Sequence, residues 1–84
     1  MIDTLQIEAE LLAFLHREVF APNTVVTAET DLVAAGFDSM SLVQLLLFVE
    51  TTYGLWVPEK ELTSDSLLNV RSLSAMVARL LHES

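Results

Sequence analysis

The sequence predicts an all-α fold, a bundle of three long helices and one short helix with a long ordered loop between the first two. Apolar residues recur at the helical period in three separate segments. The chain holds only two glycines and two prolines, so few residues interrupt these segments. Its 84 residues, of which 52% are apolar, suffice for the core of one small domain that spans residues 1–84.

The first helix is predicted over about residues 4–20. Asp3, followed three residues later by Gln6, resembles a capping box. The apolar stripe behind this start consists of Ile7, Leu11, Leu12, Phe14, Leu15 and Val19. Pro22 ends the helix because proline disfavours the helical conformation of the residue before it.

Residues 21–38 form a long connection, and connections of this length are often functional. We expect its apolar residues to be tucked onto the core. These residues are Val25, Val26, Leu32 and Val33. Gly36, near its end, can take a positive φ.

The second helix is predicted over residues 39–53, with Asp38 as its N-cap and Gly54 as the residue after its end. Its core face consists of Leu42, Leu45, Leu46, Val49 and Tyr53. A second apolar set lies off that face and consists of Met40, Val43, Leu47 and Phe48. Two interpretations of this set stay open, since it covers the 21–38 connection or faces a partner.

The remaining residues predict an extended segment and two helices. Residues 55–58 are extended, and a short helix begins at Ser64 and runs through Leu68. Asn69 caps the last helix, over about residues 70–82, whose apolar residues again follow the helical period.

Charge and composition exclude several classes of function. Four Lys and Arg residues stand against twelve Asp and Glu residues, giving a net charge of −8 and no basic patch for nucleic acid. No apolar run reaches the roughly 18 residues of a membrane span, and the start lacks the features of a targeting segment. We therefore expect a cytoplasmic monomer. We also expect a discrete protein, because the chain begins at Met1 and ends two residues past the last helix.

The sequence offers no catalytic set and no metal site. It contains no cysteine, and no histidine or carboxylate motif has the spacing of metal ligands. His16 and His82 are isolated, each near a predicted helix C-terminus, where the helix dipole suits a histidine. A free-standing enzyme is therefore not expected.

One constellation, Gly36-Phe37-Asp38-Ser39-Met40, lies at the start of the second helix. It presents the hydroxyl of Ser39 at a helix N-terminus, where unpaired N–H groups favour a phosphate ester. The alternative is that Asp38 and Ser39 only cap the helix.

This constellation resembles the Gly-x-Asp-Ser-Leu/Met signature of the acyl carrier proteins. Further steps of the family pattern follow in order over residues 5–82, where similar segments are Thr30-Asp31-Leu32, Tyr53-Gly54, Val57-Pro58 and Asn69-Val70-Arg71-Ser72-Leu73. Asp65-Ser66-Leu67 is a competing tripeptide without the preceding glycine, and we interpret Ser66 as a helix start only.

The resemblance implies a four-helix carrier fold and a role as a shuttle that performs no chemistry itself. It implies that a phosphopantetheinyl transferase attaches 4′-phosphopantetheine from coenzyme A to Ser39. The terminal thiol of that arm would hold an acyl or aminoacyl group as a thioester. The implied partners are a loading ligase and a downstream synthase or transferase.

The second helix departs from the acidic pattern of fatty-acid carriers, because Gln44, Thr51 and Thr52 stand where acids are expected. This favours a specialised pathway: polyketide, nonribosomal peptide or aminoacyl ligase. The predicted partner face consists of Asp38, Met40, Val43, Gln44 and Leu47. Docking there should depend more on apolar burial than on charge. An unmodified helical interaction module using this face is the alternative, and a small enzyme is a remote third hypothesis.

Overall fold

The computed structural model describes residues 3–83, and within this range it contains three α-helices. They are α1 (Thr4–Phe14), α2 (Ser39–Tyr53) and α3 (Val70–Glu83). α1 continues into one π-helical turn, Leu15–Val19, so the first helical segment ends one residue before the predicted end. No strand occurs among residues 3–83, and the predicted all-α class is confirmed. None of the helices in that range is both long and apolar enough to span a bilayer.

Polar side chains cap the helices at the predicted positions. Asp3 Oδ1 accepts a hydrogen bond from the Gln6 N–H at 2.7 Å. Asn69 Oδ1 likewise accepts from the Ser72 N–H at 2.8 Å. α2 ends at Gly54, whose φ of +67° lies in the left-handed region that glycine adopts without strain.

The core forms where α1 packs along α3 and α2 closes the remaining side. Its most deeply buried side chains are Ile7, Leu11, Leu15, Leu32, Leu45, Val49, Val70, Leu73 and Val77. The predicted core faces of all three helices therefore meet, and the hydrophobic contacts among them hold the fold together.

The connection between Val19 and Ser39 is fastened to the residues around the start of α3. The Leu32 N–H donates to the Leu68 carbonyl at 2.9 Å, and the Arg71 N–H donates to the Ala28 carbonyl at 2.9 Å. The Arg71 side chain also pairs with Glu29 at 2.8 Å. These contacts hold the connection against the helices.

The expectation that all four apolar residues of the connection reach the core is half wrong. Val26 and Leu32 are buried, whereas Val25 and Val33 are largely exposed. Each exposed valine adjoins a buried residue in the chain. In each pair one side chain fills the core and its neighbour in the chain stays at the surface.

The segment before α3 also differs from the prediction. Residues 64–68, predicted as a short helix, form a hydrogen-bonded turn, and a 3₁₀ helix lies earlier, at Glu59–Glu61. Hydroxyl groups explain the difference: the Ser66 N–H donates to Thr63 Oγ1 at 3.1 Å, and Ser66 Oγ donates to the Glu61 carbonyl at 2.6 Å. Such bonds compete with those of a continuing helix.

An aromatic and hydrogen-bonded cluster joins α1 to α2. The rings of Phe14 and Phe48 stack with centroids 4.5 Å apart, and Tyr53 meets Phe48 edge-on. The Tyr53 hydroxyl donates to Glu10 Oε1 at 2.5 Å. Partial burial and this bond to a carboxylate raise the pKa of Tyr53 well above its usual value.

Two leucines of α2 provide a matched test of the core. Leu45 is 2% exposed and Leu47 is 54% exposed. We expect Leu45→Ala to lower the free energy of unfolding by about 2–5 kcal/mol, because it leaves a cavity. Leu47→Ala should change it by no more than about 0.5 kcal/mol. Urea denaturation measures both, and equal losses would contradict the described orientation of α2.

The Tyr53 hydrogen bond predicts a pH dependence. Tyr53 is the single tyrosine in the sequence, so the ultraviolet absorbance of tyrosinate follows its titration directly. We expect a midpoint above the ordinary phenol pKa of about 10. Because folding raises this pKa, the stabilisation is present below the unfolded pKa and is lost as pH rises through the folded one.

Glu10→Gln is the control for that titration. It removes the negative charge that disfavours the phenolate and should lower the Tyr53 midpoint. A midpoint equal to that of free tyrosine in the folded wild type would contradict the hydrogen bond.

Candidate functional site

The chain enters α2 through a tight turn anchored in the core. The Phe37 N–H donates to the Leu32 carbonyl at 2.9 Å, and both side chains are buried. Gly36 adopts a φ of +110°, a conformation that other residues take only with strain. The backbone conformation requires glycine there. A lack of space does not, since an added Cβ would meet no atom within 4 Å. The turn places Asp38 and Ser39 at the surface.

Asp38 caps α2 with two hydrogen bonds to one residue. Its Oδ1 accepts from the Ser41 N–H and from Ser41 Oγ, both at 2.9 Å. These bonds, of which the backbone one is the larger cause, hold the pKa of Asp38 below its usual value. The carboxylate therefore stays ionised at neutral pH, beside Ser39.

Ser39 is the first residue of α2, and its side chain is exposed. Its hydroxyl makes no hydrogen bond to any residue in the range 3–83. The other two serines weighed as sites differ: Ser41 is buried and bonded to Asp38, and Ser66 is bonded to Glu61. Of these three hydroxyls, the one at Ser39 is open to a modifying enzyme.

The N-terminus of α2 offers an attached phosphate fewer free N–H donors than the sequence predicts. The Ser41 N–H, one of the donors that α2 leaves unpaired, is already taken by Asp38. A phosphate on Ser39 would also lie beside the Asp38 carboxylate. The exposed and unbonded hydroxyl still fits the attachment of a phosphopantetheine group, because attachment requires access above all.

A small cavity of about 230 Å³ adjoins Ser39. Its walls include Val33 from the connection, Leu42 from α2 and Leu67 from the turn before α3. Sequence reasoning assigned Val33 to the core and missed Leu67 as a site residue. The sequence does show Leu67 as an apolar residue after the polar segment 64–66, but either burial or a surface site can explain such a residue.

The predicted partner face is exposed along α2. Met40 is 68% exposed, Val43 51% and Leu47 54%, and Gln44 is exposed among them. The alternative in which Val43 and Leu47 pack under the connection is therefore wrong. A second cavity, of about 320 Å³, adjoins this face and is lined by Phe14, Glu18, Gln44, Leu47, Phe48 and Thr51.

The described residues gather no metal site. No three His, Cys, Asp or Glu side chains within residues 3–83 lie close enough together to hold a metal ion. His16 and His82 are exposed and far apart along the chain, each in the last turn of its helical segment, as predicted.

Sequence comparison identifies relatives over most of the chain. The family described as "Phosphopantetheine attachment site" matches residues 6–80. Aminoacyl carrier protein 1 of Bradyrhizobium diazoefficiens is 36% identical over 52 residues, which cover 62% of this chain and 58% of that relative. Aminoacyl carrier protein 2 of the same organism is 33% identical over 64 residues, 73% of this chain and 72% of that relative. The chain thus spans less than two thirds of the length of the first of these relatives.

Solved structures agree in fold. A chain in the crystal structure of Bradyrhizobium japonicum glycine:[carrier protein] ligase complexed with glycylated carrier protein superimposes with a TM-score of 0.67 and 29% identity. The match covers 87% of this chain and 96% of that chain. The same ligase complexed with its cognate carrier protein and an analogue of glycyl adenylate gives 0.69 and 29%, covering 90% and 96%. With a family match over residues 6–80, the chain belongs to the phosphopantetheine attachment site family, the family of the acyl carrier proteins.

Proposed function

We propose that this chain is an aminoacyl carrier protein whose Ser39 bears 4′-phosphopantetheine. The observation that carries the proposal is the exposed, unbonded hydroxyl of Ser39 at the start of α2 within a family of phosphopantetheine attachment proteins. A phosphopantetheinyl transferase transfers the group from coenzyme A, forming the serine phosphoester and releasing adenosine 3′,5′-bisphosphate. The thiol of the group then supplies the point at which cargo is held as a thioester.

The residues of this chain position the group and perform no chemistry on it. Asp38 fixes the first turn of α2, and the turn at Gly36 keeps the hydroxyl of Ser39 at the surface. The sequence contains no cysteine, so a reactive sulfur has to come from the attached group. The chain thus presents its cargo to other enzymes.

The relatives support an aminoacyl cargo over a fatty acyl cargo. Two are named aminoacyl carrier proteins, and the structural matches come from complexes with a glycine ligase. The proposed partners are the transferase, an aminoacyl-loading ligase and a downstream transferase or synthase of a specialised pathway. The proposed state is a monomer, and the proposed location is the cytoplasm.

In its finer description the proposed fold is a four-helix carrier bundle with an ordered connection between the first two helices. The 3₁₀ helix at Glu59–Glu61 and the turn that follows it take the place of the short helix. Two hydrogen bonds support an ordered connection: the Leu32 N–H donates to the Leu68 carbonyl, and the Arg71 N–H donates to the Ala28 carbonyl.

Partner enzymes are proposed to dock on the exposed face of α2 formed by Asp38, Met40, Val43, Gln44 and Leu47. This face holds three apolar side chains that are each more than half exposed. Their burial favours association without strong dependence on salt. The same exposure favours the second candidate function, an unmodified interaction module.

The attachment of the group is tested by intact mass after incubation with coenzyme A and a broad-specificity phosphopantetheinyl transferase. We expect the wild type to gain the mass of one phosphopantetheine and Ser39→Ala to gain none, because no other hydroxyl replaces that of Ser39. Ser66→Ala is the matched control and should gain the full mass.

Absence of any mass gain in folded wild type, with the transferase active on another carrier, would contradict the carrier function. Partner binding that survives Ser39→Ala in such a protein would establish the interaction module instead. Circular dichroism verifies that each variant keeps its helices.

Docking is tested with Leu47→Ala in the phosphopantetheine-bearing protein. Loss of a half-buried leucine contact should raise the apparent KM for glycylation by Bradyrhizobium japonicum glycine:[carrier protein] ligase by about 3- to 10-fold. Leu5→Ala is the control, since Leu5 is a leucine of α1, is 74% exposed and is not a member of the proposed docking face. An equal effect of the two substitutions would contradict docking on α2.

A further inference from the structure

The exposed apolar face of α2 includes a thioether sulfur. Met40 directly follows Ser39 in α2, and its side chain is 68% exposed. Met76 of α3 is 5% exposed and belongs to the hydrophobic core. The third methionine, Met1, lies outside the described residues. Residues 3–83 thus hold one methionine at the surface and one in the core.

A thioether at the surface is open to a two-electron oxidation. Its sulfur lone pair attacks one oxygen of a hydroperoxide, so that an S–O bond forms while the O–O bond breaks. Sulfur is oxidised to the sulfoxide and the peroxide is reduced, since its other oxygen takes up the proton and leaves as water or an alcohol. The sequence contains no cysteine, so no thiol of the polypeptide competes for the oxidant.

Oxidation would change the character of the proposed docking face. Met40, Val43 and Leu47 are its apolar members, and each is more than half exposed. The methionine side chain is flexible and apolar, whereas its sulfoxide is polar. Covering a polar group without giving it a hydrogen bond is unfavourable. A sulfoxide at Met40 therefore opposes the apolar burial on which docking depends.

The position of Met40 makes this change relevant to each enzyme that acts on Ser39. The two residues are adjacent in the chain and both are exposed, so an enzyme that reaches the Ser39 hydroxyl also approaches the Met40 side chain. A leucine at this position would supply a similar apolar side chain without sulfur. The methionine thus adds sensitivity to oxidants at the point where partners meet the carrier.

Resting on the proposed function, we infer that Met40 is a reversible oxidation site and that its sulfoxide weakens the docking of enzymes that act at Ser39. The oxidant is a hydroperoxide. A methionine sulfoxide reductase reverses the step: two thiols are oxidised to a disulfide, the S–O bond breaks and the oxygen leaves as water. The oxidation state of Met40 therefore sets how readily the carrier is modified and loaded.

The site is tested by treating the unmodified protein with hydrogen peroxide, so that no phosphopantetheine thiol takes part. Cleavage after lysine and arginine places Met40 in the peptide 18–60 and Met76 in the peptide 72–79, which mass spectrometry quantifies separately. We expect Met40 to be oxidised about 10-fold faster than Met76, because oxidation follows exposure. Equal rates in the folded protein would overturn the assignment of Met40.

The effect on docking is measured after the peroxide has been removed, with coenzyme A and a broad-specificity phosphopantetheinyl transferase. We expect oxidation to raise the apparent KM of the wild type for attachment by about 5- to 30-fold, with little change in kcat. Methionine sulfoxide reductase should restore the original KM. Met40→Leu should show one KM before and after peroxide, whereas Met76→Leu should show the same rise as the wild type.

Urea denaturation distinguishes weaker docking from loss of the fold. Because Met40 is exposed, its oxidation should leave the free energy of unfolding unchanged. An unchanged KM after complete oxidation of Met40, or an equal rise in peroxide-treated Met40→Leu, would overturn the inference. Absence of any mass gain in the untreated wild type, with the transferase active on another carrier, would instead overturn the proposed attachment to Ser39.

Discussion

The burial of Leu32 is the constraint on which the candidate site depends. Its side chain is fully buried, its N–H bonds to Leu68, and its carbonyl accepts from Phe37. One residue thus ties the long connection both to the turn before α3 and to the start of α2. The exposure of Ser39 follows from that tie, because a polar backbone fixed by several partners leaves the turn little freedom.

α2 stabilises the fold with one face and leaves the other uncovered. Leu45 and Val49 are buried, whereas Met40, Val43 and Leu47 remain more than half exposed. A monomer gains no stability from such a face, and contiguous exposed apolar groups typically mark a binding surface. The three arginines each pair with a glutamate of the same chain. The net charge, which already counts them, is −8, and a charge of this size disfavours self-association and the binding of nucleic acid.

Patterns local in sequence predicted the helices and their caps, whereas features set by distant contacts were not predictable. Asp3, Asp38, Gly54 and Asn69 act within a few residues of themselves, so their roles could be recognised in the sequence. The exposure of Val33 could not be recognised in the sequence, because it depends on whether Leu32 or Val33 fills the core. The prediction of a short helix at residues 64–68 was wrong because hydroxyl groups in residues 63–66 form hydrogen bonds with the nearby backbone. Helix propensity alone does not distinguish such a turn from a helix.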